Sequence, residues 1–266
     1  TVIYGGRRLA DHWRLGTANF VRAAELTEAE EKATIASLKQ FIEDDAKDTH
    51  AKSALRRHEE WLANLEAQRT KWDVVVLQSY RDDVAAEGDT SRYAEYAPKF
   101  AELARAQGAR VLLYETTPVT QNAKALDTAP DPKPILEKAR AIAALADQCD
   151  AAVAPMSLVA LRCQEQRPDL TLRFINDAHL NHTTAYLTAC TIYAALFDES
   201  PEGLSVDSIT DIRFLDNDPA NRDKDRDGKP ITRTFSEKDR ADLQRIAWEA
   251  YREFDSLRQK STPSQP

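Results

Sequence analysis

The chain has 266 residues, 42% of them apolar, and a formal charge of −8 from 36 basic and 44 acidic side chains. That length and apolar content suffice for a full core and exclude a disordered chain. The acidic balance, with Lys and Arg scattered, excludes nucleic acid as the main partner, because phosphate binding needs at least a basic stripe.

In chain order, Val2-Ile3-Tyr4 before Gly5-Gly6 predicts a strand meeting a tight turn. Two charged helices follow, Glu28 to Ala46 and Ala51 to Arg69. Their narrow apolar stripes, Leu38, Phe41 and Ile42, then Leu55, Trp61, Leu62 and Leu65, read as an inserted helical hairpin with a solvated outer face. Val74 to Leu77, Val111 to Tyr114 and Ala151 to Ala154 are short continuous apolar runs, as expected for strands buried on both faces of a parallel sheet. Helical patterns lie between and after them, at Tyr93 to Gln107, Ile135 to Gln148 and Val159 to Gln166. Strands alternating with helices imply an α/β layered fold with right-handed crossovers. An apolar helix, Thr183 to Phe197, comes next. From Gly203 to Thr234 the composition turns to Asp, Arg and Pro, then a last amphipathic helix runs from Ser236 to Leu257 and a disordered tail is expected from Lys260 to Pro266.

No run approaches the roughly 18 apolar residues of a membrane span. No signal peptide opens the chain, which lacks an initial Met and is read as a processed or truncated form. Cys149, Cys163 and Cys190 have no metal-type spacing and read as core residues; no metal or cofactor is expected.

Phe174-Ile175-Asn176-Asp177-Ala178-His179-Leu180-Asn181-His182 sets acids and imidazoles just ahead of the apolar helix. An imidazole whose tautomer is fixed by a neighbouring acceptor makes a general base. Asp177 or Asn181 could equally cap the helix. In an open parallel sheet a ligand sits beyond the carboxyl ends of the strands, which adds Gly5 to Arg8, Gln78 to Asp83, Glu115 to Pro118 and Pro155 to Ser157 as candidates for one cleft. A glycine amide and the Gln78 amide are donors of the kind that stabilise an oxyanion.

The ordered set Gly-Gly-x-x-Leu-x-x-His-Trp at Gly5 to Trp13, Trp72 to Gln78, and His179 to Cys190 resembles blocks of the SGNH/GDSL-type hydrolases, in the branch with Gln after the third-block strand. The similarity covers about residues 1 to 204, leaving 205–266 as a C-terminal extension. It implies a three-layer α/β/α sandwich of flavodoxin-like type, here with the helical-hairpin insertion at about 28–70 and a C-terminal helix. It also implies serine-dependent hydrolysis of a small-molecule or carbohydrate ester, and export of a bacterial protein in its longer form. Carried over, His179 is the base, Gly5 or Gly6 the second-block donor, and Gln78 the third-block donor.

Two departures stand out. The family's last block reads Asp-x-x-His, whereas position 176 is Asn and Asp177 is two residues before His179. Either the shortened spacing lets Asp177 turn to the imidazole, or Asn176 and a backbone carbonyl orient it; Asp177 is favoured. The Gly-Asp-Ser or Gly-Asn-Ser nucleophile turn occurs nowhere in the chain, which leaves Ser79 and Ser157, both at strand ends, as internal alternatives to an upstream serine. A non-catalytic module that keeps the cleft is the rival reading. Asp223-Lys224-Asp225-Arg226-Asp227-Gly228 opens like a calcium loop, but its twelfth position is Thr234 and its eighth Pro230, so a solvated turn is favoured.

Overall fold

In the computed structural model, the residues described are 6–81, 83–84, 92–116, 121–211 and 222–261. The expected strand Val2-Ile3-Tyr4, Gly5, Asp82, Thr117-Pro118 and the end of the tail lie outside them. The chain divides into two compact units, Thr1–Leu113 with Asp147–Ala151, and Tyr114–Ala146 with Ala152–Pro266.

The protein is α/β, with a three-stranded parallel sheet in the order β1 (Val74–Gln78), β2 (Arg110–Glu115), β3 (Ala151–Pro155). The apolar runs supply these strands because Val and Leu side chains fill both faces of a pleat at low backbone cost. Val111, Leu112 and Leu113 of β2 are buried, as two-faced burial requires. β1 corrects the expectation: Val76 is 48% exposed and Gln78 is exposed, so this strand is not covered on both faces, whereas β3, at the other end of the described order, is buried except for the half-buried Ala152.

The first unit begins with two short helices, α1 (Leu9–Arg14) and α2 (Thr17–Val21). The hairpin follows as α3 (Glu28–Asp44) and α4 (Thr49–Ala63), extended by the single turn α5 (Leu65–Gln68). Thr27 starts α3 with a capping box, its hydroxyl accepting from Glu30 N at 3.3 Å while the Glu30 carboxylate accepts from Thr27 N at 2.9 Å. The Thr27 hydroxyl, donating to the Glu30 carboxylate at 2.7 Å, together with the Arg22 guanidinium and the Thr27 amide, holds the Glu30 carboxyl down at about 2. Leu38 of α3 meets Leu15, Ala51 and Ala54, with Phe41, Ile42 and Leu55 packed around them. In α6 (Arg92–Ala106) the buried residues Tyr93, Ala97, Phe100, Ala101 and Ala104 form one stripe at helical spacing.

A polar network ties the hairpin to the turn between α1 and α2. The Glu31 carboxylate takes the His58 Nδ1 contact at 2.7 Å through one oxygen and the Asn19 amide at 2.7 Å through the other, and His58 Nε2 faces the Leu15 carbonyl at 3.0 Å. Both ring nitrogens of His58 meet acceptors, which ties the ring at two points. Gly16 at φ +78° makes the approach possible, since a Cβ there would sit 2.4 Å from Thr34 Cγ2 and 2.8 Å from His58 Nε2. Phe20 stacks on the His58 ring at 4.5 Å.

In the second unit, α8 (Met156–Gln166), α9 (His182–Phe197) and α10 (Glu237–Ser261) pack together, and α10 contributes the stripe Leu243, Ile246, Ala247, Ala250 and Phe254. α7 (Lys133–Cys149) follows β2, and the two-stranded ribbon β4 (Ser208–Thr210) and β5 (Thr232–Thr234) pairs antiparallel. Cys149, Cys163 and Cys190 are unpaired and buried. Burial pushes their thiols up to about 11, 12 and 12, so thiolates do not form near neutrality.

Glu31→Gln removes the carboxylate that the buried His58 ring and the Asn19 amide share and is expected to destabilise the first unit by about 3 kcal/mol. Urea unfolding followed by Trp fluorescence measures it. A change below about 0.5 kcal/mol, the range of surface substitutions, would show that the pair is not what ties the hairpin down.

Candidate functional site

Asn181, not Asp177, caps α9. Its Oδ1 accepts from Thr183 N at 3.0 Å and Thr184 N at 3.3 Å, and its Nδ2 donates to the Thr171 carbonyl at 2.7 Å. Those bonds fasten the helix start to the returning segment, where Arg173 and Leu180 also bridge in antiparallel fashion. The residues between, Phe174 to His179, close into a tight loop with Phe174 N donating to the His179 carbonyl at 3.1 Å. Relieved of capping, Asp177 turns to the imidazole: its Oδ1 accepts from His179 N at 2.7 Å and touches His179 Nδ1. The backbone amide of Asn176 is engaged elsewhere, donating to the Asp227 carboxylate at 2.9 Å.

His179 is 62% exposed at its side chain, and its Nε2 makes no hydrogen bond to a described residue. A ring held through Nδ1 by a carboxylate, with Nε2 open to solvent, can take a proton from a hydroxyl or a water. Sequence reasoning missed Arg226. Its Nη1 contacts Asp177 Oδ2 and lies 2.9 Å from His179 Nδ1, although 47 positions separate it from the histidine. Burial disfavours the Arg226 charge and lowers its pKa, and the Asp177 carboxylate is the counter-charge that offsets this. The second histidine, His182, is a buried packing residue: Nε2 donates to the Ile231 carbonyl at 2.8 Å and the ring meets Phe174 edge-on.

The remaining candidates are Gly6, Gln78, Ser79 and Ser157. Gly6, at φ +69°, is an exposed turn residue with open space where a Cβ would stand. Gly6 and Gln78 belong to the first unit, His179 and Asp177 to the second. Ser79 and Ser157 are each 1% exposed, which removes both as nucleophiles in this conformation, since a hydroxyl must reach the carbonyl it attacks. Ser157 instead belongs to a buried cluster at the strand ends of the second unit. Its amide, in the first turn of α8, donates to Glu115 Oε2 at 3.1 Å. Lys138 Nζ lies 3.5 Å from Glu115 Oε1 and donates to the Thr116 carbonyl at 2.7 Å. Burial raises the Glu115 carboxyl above its ordinary value, against the pull of Lys138 and the Ser157 amide.

The calcium-loop motif is a turn with the carboxylates of Asp225 and Asp227 engaged. Asp225 Oδ1 accepts from Asp227 N at 2.9 Å and Lys229 N at 2.8 Å, and Asp227 accepts from Ile175 N at 3.0 Å. Among the described residues no group of three His, Cys, Asp or Glu is placed to hold a metal ion, and no helix is long and apolar enough to cross a membrane. Comparison with protein-family models, with curated proteins and with solved structures returns no match.

Two outcomes are expected from this geometry. Asn181→Ala should cost about 1 kcal/mol, the typical value of an N-cap, measured by chemical denaturation. Because the folded Glu115 carboxyl is raised above its unfolded value, the stability it contributes is complete below about pH 4.3 and is lost as pH rises through the folded value. Glu115→Gln should therefore flatten the melting temperature between about pH 4.5 and pH 8. Parallel profiles for the variant and the parent would contradict the assignment.

Proposed function

We propose that the chain carries the base and its carboxylate partner of an ester hydrolase of the SGNH/GDSL type, acting on a small-molecule or carbohydrate ester. The observation that supports this is the Asp177 contact on His179 Nδ1 with Nε2 facing solvent. In such a pair the carboxylate fixes the ring and stabilises the imidazolium that forms as the base takes the nucleophile's proton. With Ser79 and Ser157 buried, the reading needs a nucleophile other than these two.

One observation favours the rival reading, a binding module without turnover. Arg226 draws on the same carboxylate as His179 and so weakens its support of the ring. The two readings separate in a hydrolysis assay with p-nitrophenyl acetate, run on the natural full-length gene product and paired with fluorophosphonate labelling to identify the serine. Turnover that falls at least about 100-fold in His179→Ala, with less loss in Asp177→Asn, is the expected result. Turnover untouched by His179→Ala, or none at all from the folded protein, overturns the hydrolytic reading.

A further inference from the structure

The Asp223-to-Gly228 turn carries no function in the reading above, yet it makes the densest set of bonds to the loop that bears His179. Asp227 spans two successive amides, taking Ile175 N at 3.0 Å and Asn176 N at 2.9 Å. Asp225 braces the turn from inside through Asp227 N and Lys229 N, and its other oxygen lies 3.9 Å from His182 Nδ1. Ile231, just beyond, accepts from His182 Nε2. Between these anchors Arg226 reaches Asp177 and His179 with one guanidinium nitrogen.

We infer that this turn is the mount of the Asp177–His179 pair, and that Arg226 within it is a positioning residue that decides which ring nitrogen of His179 carries the proton. The argument is a count of protons at Nδ1. An imidazole nitrogen either bears a hydrogen and donates, or bears a lone pair and accepts. If Nδ1 donates to Asp177, the Nε2 lone pair faces solvent and the ring is a base. If Arg226 donates to Nδ1, the hydrogen sits on Nε2 and the ring can only donate there. In the second arrangement Oδ1 still holds the His179 amide and Oδ2 still holds Arg226, but Oδ1 also touches Nδ1 and then faces its lone pair, so Asp177 and Arg226 compete for that nitrogen. Arg226 therefore acts as a latch that draws the ring toward the form that is not a base, against the pull of Asp177 Oδ1, and a hydrolytic cycle needs that latch released. The consequence for turnover rests on the hydrolytic reading; the proton position does not.

The test reads the proton directly, by long-range ¹H–¹⁵N correlation of the histidine rings at about pH 8.5, roughly two units above the ordinary imidazole value. The His179 signals are assigned with His179→Gln. In the parent protein more than about half of the ring is expected as the Nε2–H tautomer, falling below about a tenth in Arg226→Met, a shift within reach of one charge-assisted hydrogen bond. Asp227→Ala, which frees the mount, should move the ring the same way, while Asp227→Asn, which still offers an acceptor to the two amides, should move it less. Circular dichroism checks that each variant folds, and a variant that fails leaves the decision to the other. A parent ring already wholly Nδ1–H, or a tautomer ratio unchanged in folded Arg226→Met, overturns the latch whatever the hydrolysis assay gives. A tautomer shift without any hydrolysis keeps the latch and removes the esterase.

Discussion

A charge taken out of water must meet an opposite charge or a set of hydrogen bonds, and that constraint organises each unit of this protein separately. In the first, Glu31 sits fully buried on α3 and forces a choice of neighbours: His58 from α4 on one oxygen, Asn19 from α2 on the other. The apolar contacts of the hairpin are non-directional and would tolerate sliding of one helix along the other. The polar contacts would not, because the His58 ring reaches the Leu15 carbonyl at one register only. In the second unit Glu115 imposes the same demand at the strand ends, met by Lys138 from α7 and the amide at the start of α8.

That second cluster explains why the strand ends do not supply the reactive groups that an open α/β sheet suggests. Position 115 holds a carboxylate and position 157 a hydroxyl, the residue types of a catalytic pair, but the carboxylate is taken up by the Ser157 amide and Lys138, and the hydroxyl is buried. Burial decides between the two roles. A carboxyl in water would be a ready proton acceptor, whereas one enclosed with a lysine and a helix start is a structural tie. The His179 ring is the reverse case, polar and exposed with its support on one side only, which is the environment of a group that meets a ligand.

Much of the architecture was legible in the sequence because it rests on local periodicity. Leu243, Ile246, Ala247 and Ala250 repeat at helical spacing, and Val111 to Leu113 form an unbroken apolar run, so α10 and β2 fall where the pattern places them. The helices α1 and α2, of six and five residues, did not show, since so few turns carry no periodic signal. The buried ties were equally hidden. Glu31 and His58 stand on helices that read as charged and solvated, and nothing in their spacing announces that they face each other. Asp177 was legible as the partner of His179 because only Ala178 stands between them. Arg226 was not, because its contact depends on a tertiary turn, and the calcium-like motif drew attention to the acids around it rather than to the arginine between them.

The same motif shows how one pattern serves two physical ends. Alternating acids closed by a glycine make a turn dense in acceptors, and such a turn can wrap a cation or grip backbone amides. The lone pairs choose according to what is offered. Here the loop ahead of α9 offers two amides in succession, and the interleaved Arg226 carries its positive charge to Asp177 of that loop. Replacing a mobile ion by a tethered guanidinium changes the consequence. A bound cation only screens the carboxylates around it, whereas an arginine also donates hydrogen bonds with fixed direction. Its direction at His179 Nδ1 is what couples the acidic turn to the protonation of the one exposed imidazole in the loop.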